Sequence, residues 1–258
     1  MSYINLRGHQ VWSVEYPNNG ESLLLLHGGL SSTEEFDYSL LPVIENRFHV
    51  YGYDRTAHGR TASREGYYHF DFQAKEAIAY IEDIIKEPSH LIGYSDGGII
   101  SLLVALARPD LVKSMILIGT NFHHSGNALP FGDSQEIEIS DEDRLWFADH
   151  SPDSPEMQEI IIRKAFNVWA TEPEISIEDL KSISSPVLVM TGDDEPFTNQ
   201  HSVELYEAIP NGRLAIIPGA GHAHIKEKPE IGFPIISDFY DHPEFPVTGW
   251  PRLRVGEG

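Results

Sequence analysis

The run from His90 to Ala107 constrains this chain more than any other: His-Leu-Ile-Gly-Tyr-Ser-Asp-Gly-Gly, then nine residues, Ile99 to Ala107, with a single serine among apolar side chains. Leu91 and Ile92 read as the end of a buried strand, and Gly97-Gly98 followed by the apolar run reads as the opening of a helix. One serine, Ser95, stands between them, with Gly93 and Gly97 two residues to either side. A strand that turns directly into a helix through Gly-x-Ser-x-Gly needs a strained backbone. The flanking glycines relieve the Cβ clash, and the serine hydroxyl is pushed out over the sheet. A glycine-rich turn with a helix-capping serine is the plain alternative, so the rest of the chain has to decide.

Along the chain, strand and helix alternate. Tyr3 to Leu6 and Val11 to Tyr16 read as two short strands around Arg7-Gly8-His9. Ser22 to Leu26 is a continuous apolar run that stops at His27-Gly28-Gly29-Leu30, as a strand buried on both faces would. Ser31, Ser32 and Thr33 are caps for a helix carrying Phe36, Leu40, Leu41 and Ile44. Phe48 to Tyr53 is the next strand, closing on Asp54-Arg55-Thr56-Ala57-His58-Gly59-Arg60-Thr61. Phe72, Ala77, Tyr80, Ile81, Ile84 and Ile85 recur at helical spacing before the strand that leads to Ser95. Lys113 to Gly119 and Pro186 to Gly192 are further strands. A helix around Val203, Leu205, Tyr206 and Ala208 precedes a last strand, Arg213 to Ile217, and a final helix includes Ile231 to Tyr240 in spite of Pro234.

Such alternation predicts an α/β fold: a mostly parallel sheet covered on both faces, with ligands beyond the carboxyl ends of its strands. From Asn121 to about Pro186 the pattern changes. Helices opening at Ser140 and covering Pro155 to Ala170 are expected there, with no strand, as a helical insertion over the sheet. Phe122, Leu129, Phe131, Trp146, Phe147, Phe166 and Trp169 are its candidates for a pocket wall. The Pro- and Gly-rich tail, 242–258, is expected to be poorly ordered.

A chain of 258 residues with 41% apolar content suits one large domain, taken as 1–258. Forty acidic against 18 basic residues, a net charge of −22, disfavour a phosphate-neutralising surface and so nucleic-acid binding. No cysteine occurs, which removes disulfides, thiolate metal sites and a cysteine nucleophile. Met1 to Tyr16 carries Arg7, His9 and Glu15 and has no apolar core of a secretory signal, and no segment is long enough to span a bilayer. The cytoplasm is therefore the expected location.

Serine is a weak nucleophile unless a base takes its proton and a third group orients that base. His222, in the turn Pro218-Gly219-Ala220-Gly221-His222 after the last strand, is the candidate base, with His224 its nearest competitor. Asp193, Asp194 and Glu195 follow the strand that ends at Gly192, and any one of them sits at the correct edge for the acid. Spacing alone does not choose among the three. The backbone N–H of Asp96, at the helix start, and that of Gly29 are placed to hold an oxyanion.

With these motifs in this order, the chain resembles the α/β-hydrolase superfamily from about His27 to about Glu230. The resemblance rests on His-Gly-Gly at 27–29, Asp54-Arg55 to Gly59-Arg60, Gly-Tyr-Ser-Asp-Gly-Gly at 93–98, Gly-Asp-Asp-Glu at 192–195 and Pro-Gly-Ala-Gly-His at 218–222. It implies an eight-stranded, mostly parallel sheet and makes residues 121–186 a cap over the site. It also places the acid three residues after Gly192, on Glu195, where members mostly carry Asp. The implied activity is that of a serine hydrolase cleaving a small carboxylic ester, without cofactor or metal. Related activities on the same scaffold are C–C bond hydrolase, amidase or aminopeptidase, acyltransferase and cofactor-free haloperoxidase. A nucleophilic serine in place of aspartate argues against dehalogenase and epoxide hydrolase chemistry. The Ser-Asp-Gly-Gly variant resembles hydrolases of esters of small or amino-bearing acids, in which Asp96 could attract a cationic group or merely cap the helix.

Other readings are weaker. His123-His124, His222-x-His224 and the acidic trio at 193–195 match no His-Glu-x-x-His or calcium-loop pattern. Gly97-Gly98 lacks a P-loop lysine, and Asp96 would repel a phosphate. A non-catalytic small-molecule receptor on the same scaffold is the second class of function. The filled serine, histidine and acid positions favour an enzyme. Oligomeric state is not legible.

Overall fold

The computed structural model describes residues 1–64, 68–132, 136–244 and 248–250 of the chain. Eight strands form one sheet: β1 (Ser2–Leu6), β2 (His9–Tyr16), β3 (Ser22–Leu26), β4 (His49–Tyr53), β5 (Ser89–Tyr94), β6 (Val112–Ile118), β7 (Val187–Gly192) and β8 (Gly212–Ile217). Their order is β1-β2-β4-β3-β5-β6-β7-β8. Only β1 with β2 and β2 with β4 pair antiparallel; every pair from β4 to β8 is parallel. The strand at the centre of the sequence argument is thus also central in space, with β3 on one side of β5 and β6 on the other.

Alternation of side chains along each strand divides the core in two. Leu24, Leu26, Leu91, Met115, Leu117, Val187 and Val189 enter one buried cluster. Their neighbours Leu23, Leu25, Ile92, Ile116, Ile118, Leu188 and Met190 enter the other. All five side chains of β3 are buried, which is why its sequence is an unbroken apolar run instead of an alternating one. Helices cover both faces: α1 (Phe36–Ser39), α2 (Leu41–Ile44), α3 (Phe70–Tyr80), α4 (Asp96–Ala107), α5 (Asp141–His150), α6 (Met157–Thr171), α7 (Ile177–Leu180), α8 (Asn199–Ala208), α9 (His224–Glu227) and α10 (Pro229–Asp241). α3, α4 and α8 pack on the first cluster, and α1, α2 and α10 on the second.

The expected single helix over Phe36 to Ile44 is instead a 3₁₀ turn, Thr33–Glu35, followed by α1 and α2. Pro42 explains the break, since it sits in the first turn of α2, where a missing N–H does no harm. Pro234 does not interrupt α10, whose Ile236, Phe239 and Tyr240 are anchored in the core. Between β6 and β7 the chain forms α5, α6 and α7 and, among the described residues, no strand, only the isolated bridges His123↔Glu174 and Asn127↔Phe197. Of the tail read as poorly ordered, 245–247 and 251–258 lie outside the described residues. Its start is held by Arg213, which donates to the carbonyls of His242 and Glu244 at 2.6 Å each. No helix among the described residues is long and apolar enough to cross a membrane.

Candidate active site

Ser95 joins β5 to α4 with φ 54° and ψ −118°, a left-handed conformation that costs a non-glycine residue about 1–3 kcal/mol. The turn is tight enough to require its glycines. A Cβ on Gly93 would lie 2.3 Å from the Gly97 carbonyl oxygen, and one on Gly97 would lie 2.0 Å from that of Leu26. The Ser95 N–H donates to Ile118 O at 2.8 Å, which ties the turn to β6.

His222, in the turn after β8, sits with Nε2 3.0 Å from Ser95 Oγ and Nδ1 2.5 Å from Glu195 Oε2. With a carboxylate on Nδ1, that nitrogen carries the proton, and Nε2 is left to accept from the serine hydroxyl. The structure therefore brings Ser95, His222 and Glu195 into one hydrogen-bonded chain. Asp193 and Asp194 stay out of it. Both are exposed, and Asp193 accepts from the N–H groups of Gly219 and Ala220 at 2.8 and 3.1 Å, bracing the turn that carries the base.

Glu195 Oε1 accepts from Gly192 N–H at 2.9 Å and from the Thr191 hydroxyl at 3.2 Å. Burial works to raise the pKa of this carboxyl, but the imidazoles of His222 and His224 outweigh it and hold the group at about 2. His224, the competitor for the role of base, lies behind the acid. Its side chain is fully buried, with Nδ1 3.5 Å from Glu195 Oε1.

The amides of Gly29 and Asp96 donate to no protein acceptor among the described residues. For Asp96, the first residue of α4, this follows from helix geometry. The Gly29 turn is supported from beneath by Arg55. This fully buried guanidinium donates to the carbonyls of His27 and Gly28 at 3.1 and 2.7 Å and to Gln73. The Asp96 carboxylate is neither an open anion nor a helix cap. It accepts from the Trp169 indole of α6 at 3.0 Å and stands 3.9 Å from Arg55 Nη2. Burial raises its pKa, with Arg55 and Trp169 opposing.

A cavity of about 220 Å³ opens over Ser95, with Asn121, Asn127, Phe131, Trp169 and Phe197 in its wall. Of the seven apolar wall candidates, only Phe131 and Trp169 line it. Phe122 is buried, stacked on His201 at 4.0 Å, and Leu129 is 56% exposed. Trp146, Phe147 and Phe166 face a different cavity. Sequence reasoning missed Thr191, which holds the acid, Tyr94, whose hydroxyl donates to His222 O at 3.1 Å, and the support given by Arg55. No pattern marks the first two, and the third was visible only as part of a family segment.

Among the described residues, His123, His124 and Glu174 bring three metal-type ligand atoms within 4.8 Å of one another. His123 Nδ1 accepts from Ser125 N–H at 3.1 Å, so the proton of the neutral ring is on Nε2. This group is not part of the hydrogen-bonded chain at Ser95.

Ser95 in a tight strand-to-helix turn, His222 after the last strand and Glu195 after the strand before it thus meet beyond the carboxyl edge of a mostly parallel sheet. The chain belongs to the alpha/beta hydrolase family, whose family model matches residues 23–231. It is 24% identical over 259 residues to the uncharacterized hydrolase YugF of Bacillus subtilis, an alignment covering 90% of this chain and 94% of that protein. It is 22% identical to the (E)-2-((N-methylformamido)methylene)succinate hydrolase of Acinetobacter baylyi, with 79% and 84% covered. Among solved structures, the meta-cleavage product hydrolase of Pseudomonas fluorescens IP01 superposes with a TM-score of 0.72 at 19% identity, over 95% of this chain and 98% of that one.

Proposed function

We propose that the chain is a serine hydrolase that cleaves carboxylic esters of small molecules through an acyl-enzyme, acting in the cytoplasm without cofactor, metal or nucleic acid. The observation that carries this reading is the chain of contacts from Ser95 Oγ to His222 Nε2, 3.0 Å, and from His222 Nδ1 to Glu195, 2.5 Å. Ser95 Oγ attacks the ester carbonyl as its proton passes to His222 Nε2, and Glu195 stabilises the imidazolium. The Gly29 and Asp96 amides receive the oxyanion, each such donor contributing on the order of 10²–10³ in rate. His222 then protonates the departing alkoxide. Water attacks the acyl-enzyme with His222 again as base, the acid leaves and Ser95 is restored.

Residues 121–186 act as a cap on a single domain, and Trp169 of this cap meets Asp96 beside the nucleophile. A site of about 220 Å³ is smaller than the roughly 300–1,000 Å³ of pockets for drug-sized ligands, so short acyl groups are favoured. Two experiments test the reading. A fluorophosphonate should label the protein at Ser95 and leave folded Ser95→Ala unlabelled. p-Nitrophenyl esters from acetate to laurate, with an amino-acid ester alongside, should show kcat/KM highest at the short end. A folded protein that resists the probe is a receptor. One that labels yet leaves every ester intact is a hydrolase of another bond, such as an amide or a C–C bond.

A further inference from the structure

A larger cavity, about 550 Å³, lies between α5, α6 and the loops after β3 and β4, and Ser95 is not among its lining residues. Leu30, Ala57, Phe147, Ile161, Ile162 and Phe166 give it an apolar wall. It shares no lining residue with the cavity over Ser95, and Phe166 in its wall packs its ring 5.4 Å from that of Trp169 in the other.

Two buried polar side chains also line it, His58 at 6% exposure and Gln158 at 8%. His58 Nδ1 donates to Thr56 O at 3.0 Å. Burial, with the Arg55 charge, holds this ring at a pKa of about 3, so it is neutral and its Nε2 is an acceptor. Gln158 Nε2 donates to Asp143 O at 3.0 Å, which leaves its Oε1 as the free end. Neither acceptor atom has a hydrogen-bond donor among the described residues. Exposed Glu136, Glu138 and Asp143 also line it, and no lysine or arginine among the described residues does. The charged part of its lining is therefore negative throughout. Both acceptor atoms thus stay open to a donor brought by a ligand, and an anion would meet the repulsion of the three carboxylates.

We propose that this cavity is a second binding site, independent of Ser95, for a primary amine with an apolar, ring-sized body whose ammonium group donates to the His58 and Gln158 acceptors in a lining that also carries carboxylates. Cations with several N–H donors satisfy both acceptors and the carboxylates; the ring occupies the Ile161, Ile162 and Phe147 wall.

Calorimetry on full-length Ser95→Ala, which cannot turn a ligand over, tests this with 2-naphthylmethylamine and 2-naphthoate as a matched pair of opposite charge. The amine should bind one-to-one, on the order of tenfold or more tighter than the carboxylate. Gln158→Leu should weaken the amine by about the same factor. Ile161→Trp, which fills the cavity, should abolish binding, and Ile162→Trp serves as a second filling variant should the first fail to fold. Equal affinity for the naphthoate, no amine binding at millimolar concentration, or full amine affinity in a folded, filled variant would each overturn the proposal.

Discussion

Replacing Glu195 by glutamine preserves volume and removes one charge from the centre of the site. A carboxyl held at about 2 instead of its ordinary 4.5 is one whose ionised form the folded site favours by roughly 3 kcal/mol. The part of that preference owed to His222 is what stabilises the imidazolium formed as Ser95 is deprotonated, and glutamine removes it. Hydrogen bonding adds to it. Two donors, Gly192 N–H and the Thr191 hydroxyl, converge on Oε1, so in Glu195→Gln the amide oxygen settles there and the NH₂ faces His222 Nδ1. Nδ1 must then accept, the ring proton moves to Nε2, and Nε2 can no longer take the proton from serine. We expect kcat to fall by about 10²–10⁴ with KM within a few-fold, since Glu195 does not line the pocket. Steady-state and burst kinetics on p-nitrophenyl acetate measure both. Because the folded pKa lies below the unfolded one, the charge stabilises the fold above about pH 4.5 and ceases to do so as pH falls towards 2. Urea unfolding at pH 6 and pH 3 should therefore show a smaller acid loss in Glu195→Gln than in wild type. A variant keeping a third of wild-type kcat, or Asp193→Asn proving the more damaging, refutes the assignment of the acid.

Ser95→Gly should abolish turnover and raise stability by about 1 kcal/mol, since glycine adopts φ 54° without strain; calorimetry would show it as roughly 2–4 °C in Tm. Gly119→Ala, at φ 57° with its new Cβ 2.9 Å from His222 Nδ1, should displace the base and lower kcat at least about tenfold while circular dichroism stays native. Arg55→Leu should destabilise by about 3–5 kcal/mol because Asp96 is left as a buried, uncompensated charge, and Arg55→Lys should not restore stability, since it cannot reproduce the donors to His27 O, Gly28 O and Gln73.

Much of this site was legible because it hangs on strand ends. Ser95 and His222 follow β5 and β8, and apolar runs mark strand ends well. The acid was different. Asp193, Asp194 and Glu195 share one turn, and what separates them is contact with groups distant in sequence: the Gly219 and Ala220 amides claim Asp193, and His222 claims Glu195. Asp96 was read as a lure for cations or a cap, and neither reading could foresee the indole of Trp169, 73 residues onward. Trp169 and Phe166 of α6 were both candidates for a pocket wall, and the sequence could not say which of the candidates face inward. Nor could it show that they line two different cavities.

His222 depends on the least protected strand of the parallel run. β8 pairs only with β7, and its residues are more exposed than the fully buried β7. Ser95 is anchored at the sheet's middle, whereas His222 is carried on the outermost ribbon. Fraying begins at such margins, so on gentle warming the imidazole should part from the alcohol while most helices and strands persist, and inactivation should run ahead of melting.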